Sequence, residues 1–217
     1  MDPCGCDDLA TMFDEERATR DRDRYRRTGA DRTTRLLLDE IRAFGVAGST
    51  ILDIGSGIGI IDQELLKAGA SHAVLVDASP ASLRIARQEA RVANLLDRID
   101  FVDGDFVKRS DAIDVADIVT LDRVVCCYPD VDSLVGMSAA RARHLYCLVL
   151  PRDRWLVRVA LRLLNLEFRF RRKGYRTHAH SNQRIDELVA TRGLTPRSES
   201  GTFFWRVVIY ERRSAAA

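Results

Sequence analysis

The stretch Ile51-Leu52-Asp53-Ile54-Gly55-Ser56-Gly57-Ile58-Gly59 constrains this chain more than any other. A short apolar run passes an acid, turns through three glycines, and gives way to the helical spacing of residues 60–68. Glycine permits the sharp turn and lets backbone approach a ligand closely. Around this unit the pattern predicts strands over 50–54, 73–76, 99–102, 116–121, 145–150 and 203–210. It predicts helices over 82–94, 133–143 and 182–191, with Ser79 capping the first of these and Pro80 at its opening position. Strands alternating with helices of roughly 10–15 residues imply parallel pairing through βαβ units. The expected fold is an α/β doubly wound sheet with the glycine loop at its carboxyl edge, where such sheets bind ligands. The strand at 203–210 follows a strand-poor region and is expected to insert antiparallel.

The loop spacing is G-x-G-x-G, which is neither the dinucleotide G-x-G-x-x-G nor a phosphate loop, since no Lys-Ser/Thr follows. The acids beyond it carry more information. Asp77 ends the second strand, where a carboxylate can accept both ribose hydroxyls. Gly104-Asp105-Phe106 follows the third strand; Asp105 can accept from an exocyclic adenine amine, and Phe106 can flank a purine. Asp122 ends the fourth strand. Four strands thus bring an acid to one edge of the sheet.

Composition narrows the class. The 217 residues are 46% apolar and 30% charged, a globular balance. No apolar run reaches the about 18 residues of a membrane-spanning helix. The formal charge of +2 gives no general pull on nucleic acid. Five cysteines, an odd number, and an opening MDPCGCDDLA without a secretory pattern suggest a reducing compartment, expected to be the cytoplasm. Charge is uneven, however. Residues 1–35 mix nine acids with eight arginines and are expected to form a helical flap, with the main domain over 36–217. Residues 151–176 carry nine basic side chains against two acids, interleaved with Trp155, Leu156, Val159, Leu163 and Leu166 at helical spacing.

In order and spacing, ILDIGSGIG, VLVDAS, FVDGDF and DIVTLD resemble the class I S-adenosylmethionine-dependent methyltransferases over about residues 48–150. The resemblance implies a Rossmann-like sheet of seven strands, mostly parallel, with the last strand reversed. It implies that Asp53, Gly55, Ser56 and Gly57 hold the methionine end of S-adenosyl-L-methionine. Asp77 with Ala78 would bind ribose, Asp105 and Phe106 adenine, and Asp122 would border the methyl-transfer site.

The continuation Cys127-Tyr128-Pro129, the pair His180-Ser181 before a helix, and Phe203-Phe204-Trp205 are similar to the magnesium-protoporphyrin IX O-methyltransferases. That family carries a His before the Tyr-Pro pair as a catalytic candidate. Here Cys127 stands there, with one extra residue after Asp122. Carboxylate methylation needs little base, because the acceptor is already ionised near neutral pH; it needs alignment. The catalytic candidates are therefore Asp122, Tyr128, His180 and Tyr25, and the expected acceptor is a small anionic molecule, tetrapyrrole-like by this resemblance.

Two alternatives stay open. Cys4, Cys6, Cys126 and Cys127 could present a metalloid or thiol for methylation, although their spacings match no structural zinc pattern, and no metal site is expected. A non-catalytic S-adenosylmethionine-binding regulator or scaffold is the rival of another class. The basic insert at 151–181 reads as a solvated helix, as a surface for an anionic substrate, or as a peripheral contact with a membrane. The sequence leaves the oligomeric state open.

Overall fold

The computed structural model describes residues 6–171 and 174–213. Two helices, α1 (Cys6–Met12) and α2 (Glu15–Thr28), precede α3 (Arg32–Phe44). The Asp14 carboxylate caps α2 and Asp31 caps α3, accepting from the Thr33 and Thr34 amides at 3.0 and 3.1 Å. The alternating body follows as β1 (Thr50–Ile54), α4 (Ile60–Lys67), β2 (His72–Asp77), α5 (Pro80–Val92) and β3 (Ile99–Asp103). It continues through α6 (Phe106–Arg109), β4 (Ala116–Asp122), α7 (Val131–Arg141) and β5 (Ala142–Pro151). The chain ends with α8 (Trp155–Phe170), α9 (Asn182–Ala190), β6 (Leu194–Gly201) and β7 (Trp205–Arg212).

The seven strands form one sheet in the order β3-β2-β1-β4-β5-β7-β6. All pairs from β3 to β5 are parallel, and β7 runs antiparallel between β5 and β6. The expected seven-stranded, doubly wound sheet with a reversed final strand is the observed one. Both faces are covered, as parallel strands require. Leu52 and Ile54 face a core shared with Leu134, Val135, Ile185 and Val189 of α7 and α9. Ile51 faces the opposite core, built with Leu37, Leu38 and Ile41 of α3 and with α4 and α5. Helix α3 is thus part of the sandwich, and α2 packs outside it along α5, where Arg26 pairs with Glu89 and Ala18 meets Ile85.

Several elements differ from the sequence reading: α3 and α6 were not predicted, and the expected boundary at residue 35 falls inside α3. The strand β6 was not expected: its sequence LTPRSESG is polar, and Pro196 lies at a register shift. Such features suit an edge strand and hide it from a hydrophobic-pattern reading. The last strand begins at Trp205 rather than 203, because Phe203 and Phe204 form the turn from β6. Gly201, at φ 128°, makes that turn: a Cβ there would sit 2.2 Å from the Trp205 carbonyl oxygen. Among the described residues no helix is long and apolar enough to cross a membrane.

Candidate active site

The strand order reverses between β1 and β4, and at their carboxyl ends lies a cavity of about 750 Å3. That is within the range, roughly 300–1,000 Å3, of sites for small molecules. The glycine loop forms its floor, α1, α2 and α8 its roof, and the turn after β4 its far wall. Gly55, Gly57 and Gly59 all have positive φ, so the loop needs glycine for its path. At Gly55 packing adds to this: a Cβ would fall 2.4 Å from a methyl of Val124.

The glycine-loop half of the cavity is rich in carboxylates. The Gly57 amide donates to one Asp77 oxygen and the Ser79 amide to the other, each at 2.7 Å. A carboxylate offers about four lone-pair sites, so each oxygen keeps one for an incoming hydroxyl. Burial pushes the Asp77 carboxyl up to about 6, against the pull of those two amides. Asp53 is 2% exposed and accepts from the Thr120 hydroxyl at 2.6 Å. Burial raises it to about 7, with Asp122 and Asp77 adding repulsion against the Thr120 hydrogen bond. Beneath it, the fully buried Asp62 meets no hydrogen-bond donor among the described residues, and burial and the neighbouring Asp53 push it well above the usual carboxylate range. The buried Ser56 hydroxyl also lacks a partner among the described residues. Asp105 caps α6 through the Val107 amide at 2.9 Å, beside the buried Phe106, and Ala78 lines the same wall.

The other half is held by ion pairs. Asp122 accepts from the Thr34 hydroxyl at 2.6 Å and from Arg123 Nε at 2.8 Å. Arg123 also reaches Asp31 at 2.7 Å. These partners fix Arg123 in the left-handed region at φ 64°, uncommon for a residue with a side chain. Burial would raise Asp31, but the Arg123 charge and the cap amides overcome it and hold it at about 2. With a second Arg123 nitrogen at 3.1 Å, Asp122 is already engaged by three donors. Cys127 reaches the cavity with its sulfur 3.9 Å from that of Cys126, and the Tyr175 hydroxyl donates to it at 2.9 Å. The contact with Cys126, then Tyr175 and the charge of Arg17, lower the Cys127 thiol against its burial; the same contact and burial raise Cys126.

Of the other three catalytic candidates, one lines the cavity and two lie outside it. Tyr128 lines the cavity, and its hydroxyl donates to Asp105 at 3.1 Å. Tyr25 donates to Glu64 at 2.6 Å and packs against Ile58 and Ile85, outside the cavity. His180 Nε2 lies 2.9 Å from the Tyr128 carbonyl and its ring stacks on His178, also outside. Of the basic insert, Arg152 bonds carbonyls of Ser200 and Thr202, and Arg154 covers Phe203, so neither faces the cavity. Cys4, and the side chain of Cys6, lie outside what is described; no cluster of three or more metal-ligating side chains occurs among the described residues.

The sequence reading missed Thr34, Tyr175 and Arg17. Arg17 is half-buried, lies 4.5 Å over the Phe13 ring and lines the cavity. The other cavity-lining arginines, Arg24, Arg123 and Arg171, each pair with a carboxylate; Arg17 has no such partner among the described residues. One arginine among eight in the first 35 residues carries no sequence signal that would single it out.

Residues 51–145 match the family described as Methyltransferase domain. The ribosomal protein L11 methyltransferase of Deinococcus radiodurans is 34% identical over 77 residues, 36% of this chain and 28% of that protein. That of Lachnospira eligens is 28% identical over 120 residues, 54% of this chain and 37% of that protein. The chain thus spans well under half the length of these curated relatives. Among solved structures, the magnesium protoporphyrin IX methyltransferase of Synechocystis with bound SAH superposes with a TM-score of 0.68 at 19% identity, covering 94% of this chain and 99% of that one. An O-methyltransferase family protein from Burkholderia thailandensis gives 0.65 at 19%, covering 94% and 64%. Both likenesses are of fold.

Proposed function

The chain carries a class I S-adenosylmethionine-dependent methyltransferase domain, and from that premise we propose that it methylates an oxygen of a small anionic acceptor. The single observation behind the acceptor's charge is Arg17, a half-buried cation without a carboxylate partner among the described residues, facing the same cavity as Asp77. S-adenosyl-L-methionine supplies an electrophilic methyl group on a sulfonium.

The residues fit that cofactor. Asp77, with a free lone pair on each oxygen, and Ala78 would take the ribose. Asp105 and Phe106 would take the adenine. Asp53, Gly55, Gly57 and the unpartnered Ser56 hydroxyl would take the methionine end. On the acceptor side Arg17 would bind the anionic group. A carboxylate oxygen needs no general base, which suits an Asp122 already held by Thr34 and Arg123. Catalysis then rests on alignment within a cavity roofed by α1, α2 and α8.

Transfer of labelled methyl from S-adenosylmethionine to a metabolite extract tests the reading. Saturable cofactor binding without turnover on any fraction would favour the regulatory or scaffold alternative. A second reading has one observation in its favour: the Cys126 and Cys127 sulfurs, 3.9 Å apart at the cavity, suit a thiophilic acceptor such as trivalent arsenic. Methylation of arsenite in the same assay would support it. The relatives named for ribosomal protein L11 share too little of their length with this chain to speak for a protein acceptor.

A further inference from the structure

Helix α8 is amphipathic in an unusual sense: it is apolar on both of its faces. Val157, Leu161 and Phe168 are buried against the body. At about 100° per residue, Trp155, Val159, Leu166 and Phe170 fall on the opposite side, joined by Leu156 and Leu163. All six are exposed, Trp155 by 72%, Leu163 by 62% and Phe170 by 79%. A solvated helix would place its charges there. Instead Arg158, Arg162 and Arg169 line one edge of the stripe, and Arg154 stands at the helix start over the exposed ring of Phe203. In the sequence the stretch 151–176 has nine basic residues and two acids.

We propose that the outward face of α8, with Phe203 beside it, docks on an anionic lipid bilayer. The occupant follows from the pattern. Large aromatic and aliphatic side chains beside a row of arginines match a surface that is apolar beneath and negative above, with the helix lying in the interface plane. Arginine heads reach lipid phosphates while the stripe enters the acyl boundary. A second copy of this chain would bring its own arginines against these. The inward face of the same helix contributes Leu161, Leu164 and Phe168 to the cavity roof. Docking therefore seats the roof of the cavity on the membrane, where an amphiphilic acceptor would be concentrated; that last step alone rests on the methyl-transfer reading.

The test is flotation of the full chain, without cofactor or acceptor, with vesicles of equal parts phosphatidylcholine and phosphatidylglycerol, and with vesicles of phosphatidylcholine alone. Binding to the anionic vesicles is expected, with a blue shift of Trp155 emission in a Trp205→Phe background. Leu163→Glu/Phe170→Glu should lower partitioning by about tenfold or more. Each of Arg162→Gln and Arg169→Gln should lower it by about fivefold, whereas Arg158 is held by Asp153 and is left in place. Because these side chains are exposed, the variants should keep the wild-type melting temperature; Leu163→Ser/Phe170→Ser serves as the milder pair if the glutamates impair folding. Equal binding to neutral and anionic vesicles, no binding to either, or undiminished binding by the stripe variants would overturn the proposal. So would a wild-type dimer that the stripe variants dissociate, which would assign the face to a second copy. Cofactor titration of the same samples reports on the methyltransferase reading independently.

Discussion

The Tyr175 hydroxyl donates to the Cys127 sulfur across 2.9 Å, so a residue beyond α8 holds a thiol on the turn after β4. The contact to Cys126, then this hydrogen bond and the charge of Arg17, lower the Cys127 thiol from its ordinary value against its burial. Cys127 should therefore be alkylated by iodoacetamide at a lower pH than an ordinary thiol, about 8.5, while the buried Cys126 and Cys147 react slowly. Tyr175→Phe should move the Cys127 profile to higher pH. Mass spectrometry of the labelled peptides reads both effects, and an unmoved profile would detach Tyr175 from the thiol.

Asp77→Ala should weaken S-adenosylmethionine binding. Loss of hydrogen bonds to a charged acceptor costs about 1.5–3 kcal/mol, or roughly 10- to 150-fold. Its pH dependence has a definite sign. With the carboxyl raised to about 6, Asp77 is ionised above that pH and protonates below it. Cofactor affinity measured by calorimetry should fall as pH drops through about 6, and this limb should vanish in the variant.

Asp53 and Asp62 act on stability instead. Both are raised in the folded state, so between about pH 4 and 7 the native chain holds more protons than the unfolded one. Stability accordingly falls as pH rises through that window. Asp53→Asn keeps an oxygen for Thr120 and removes the charge; it should flatten the slope and stabilise the fold at pH 8, by on the order of a few kcal/mol. Thermal unfolding across pH is the measurement, and an unchanged slope would show that Asp53 ionises freely.

Arg17→Gln should separate acceptor from cofactor. We expect the acceptor KM to rise roughly tenfold or more, with S-adenosylmethionine affinity within about twofold. Raising salt should mimic the substitution, since a half-exposed cation is screened. A change confined to cofactor affinity would assign Arg17 to the other half of the cavity.

The sheet was legible because its strands are short apolar runs ending in acids or glycines, and Ser79-Pro80 marks a helix start that the structure forms with the Ser79 hydroxyl as cap. Strand β6 was not legible, since it lies at the sheet edge with a neighbour on one side only, buries only Leu194 fully, and its polar side chains mimic a loop. The glycine loop, Asp77 and Asp105 could be found from their own neighbours in sequence. Thr34 and Tyr175 could not: Thr34 meets Asp122 from 88 positions away, through a helix whose position depends on the whole sandwich. The partners of Tyr25 and His180, Glu64 and the Tyr128 carbonyl, were hidden from the sequence for the same reason.

The near contact between Gly55 and Val124 binds two parts of the cavity into one mechanical piece. A methyl of Val124 already fills the space where a side chain at position 55 would begin. Val124 belongs to the turn that also presents Arg123, Cys126 and Cys127. The loop that faces one ligand and the turn that faces the other can therefore drift only in concert. Gly55→Ala should be rescued in part by Val124→Ala, the residual defect being the strain of an L-residue at φ 68°. Any attempt to re-engineer the acceptor side will meet this epistasis, and libraries that vary residues 123–127 should vary residues 55–57 alongside them.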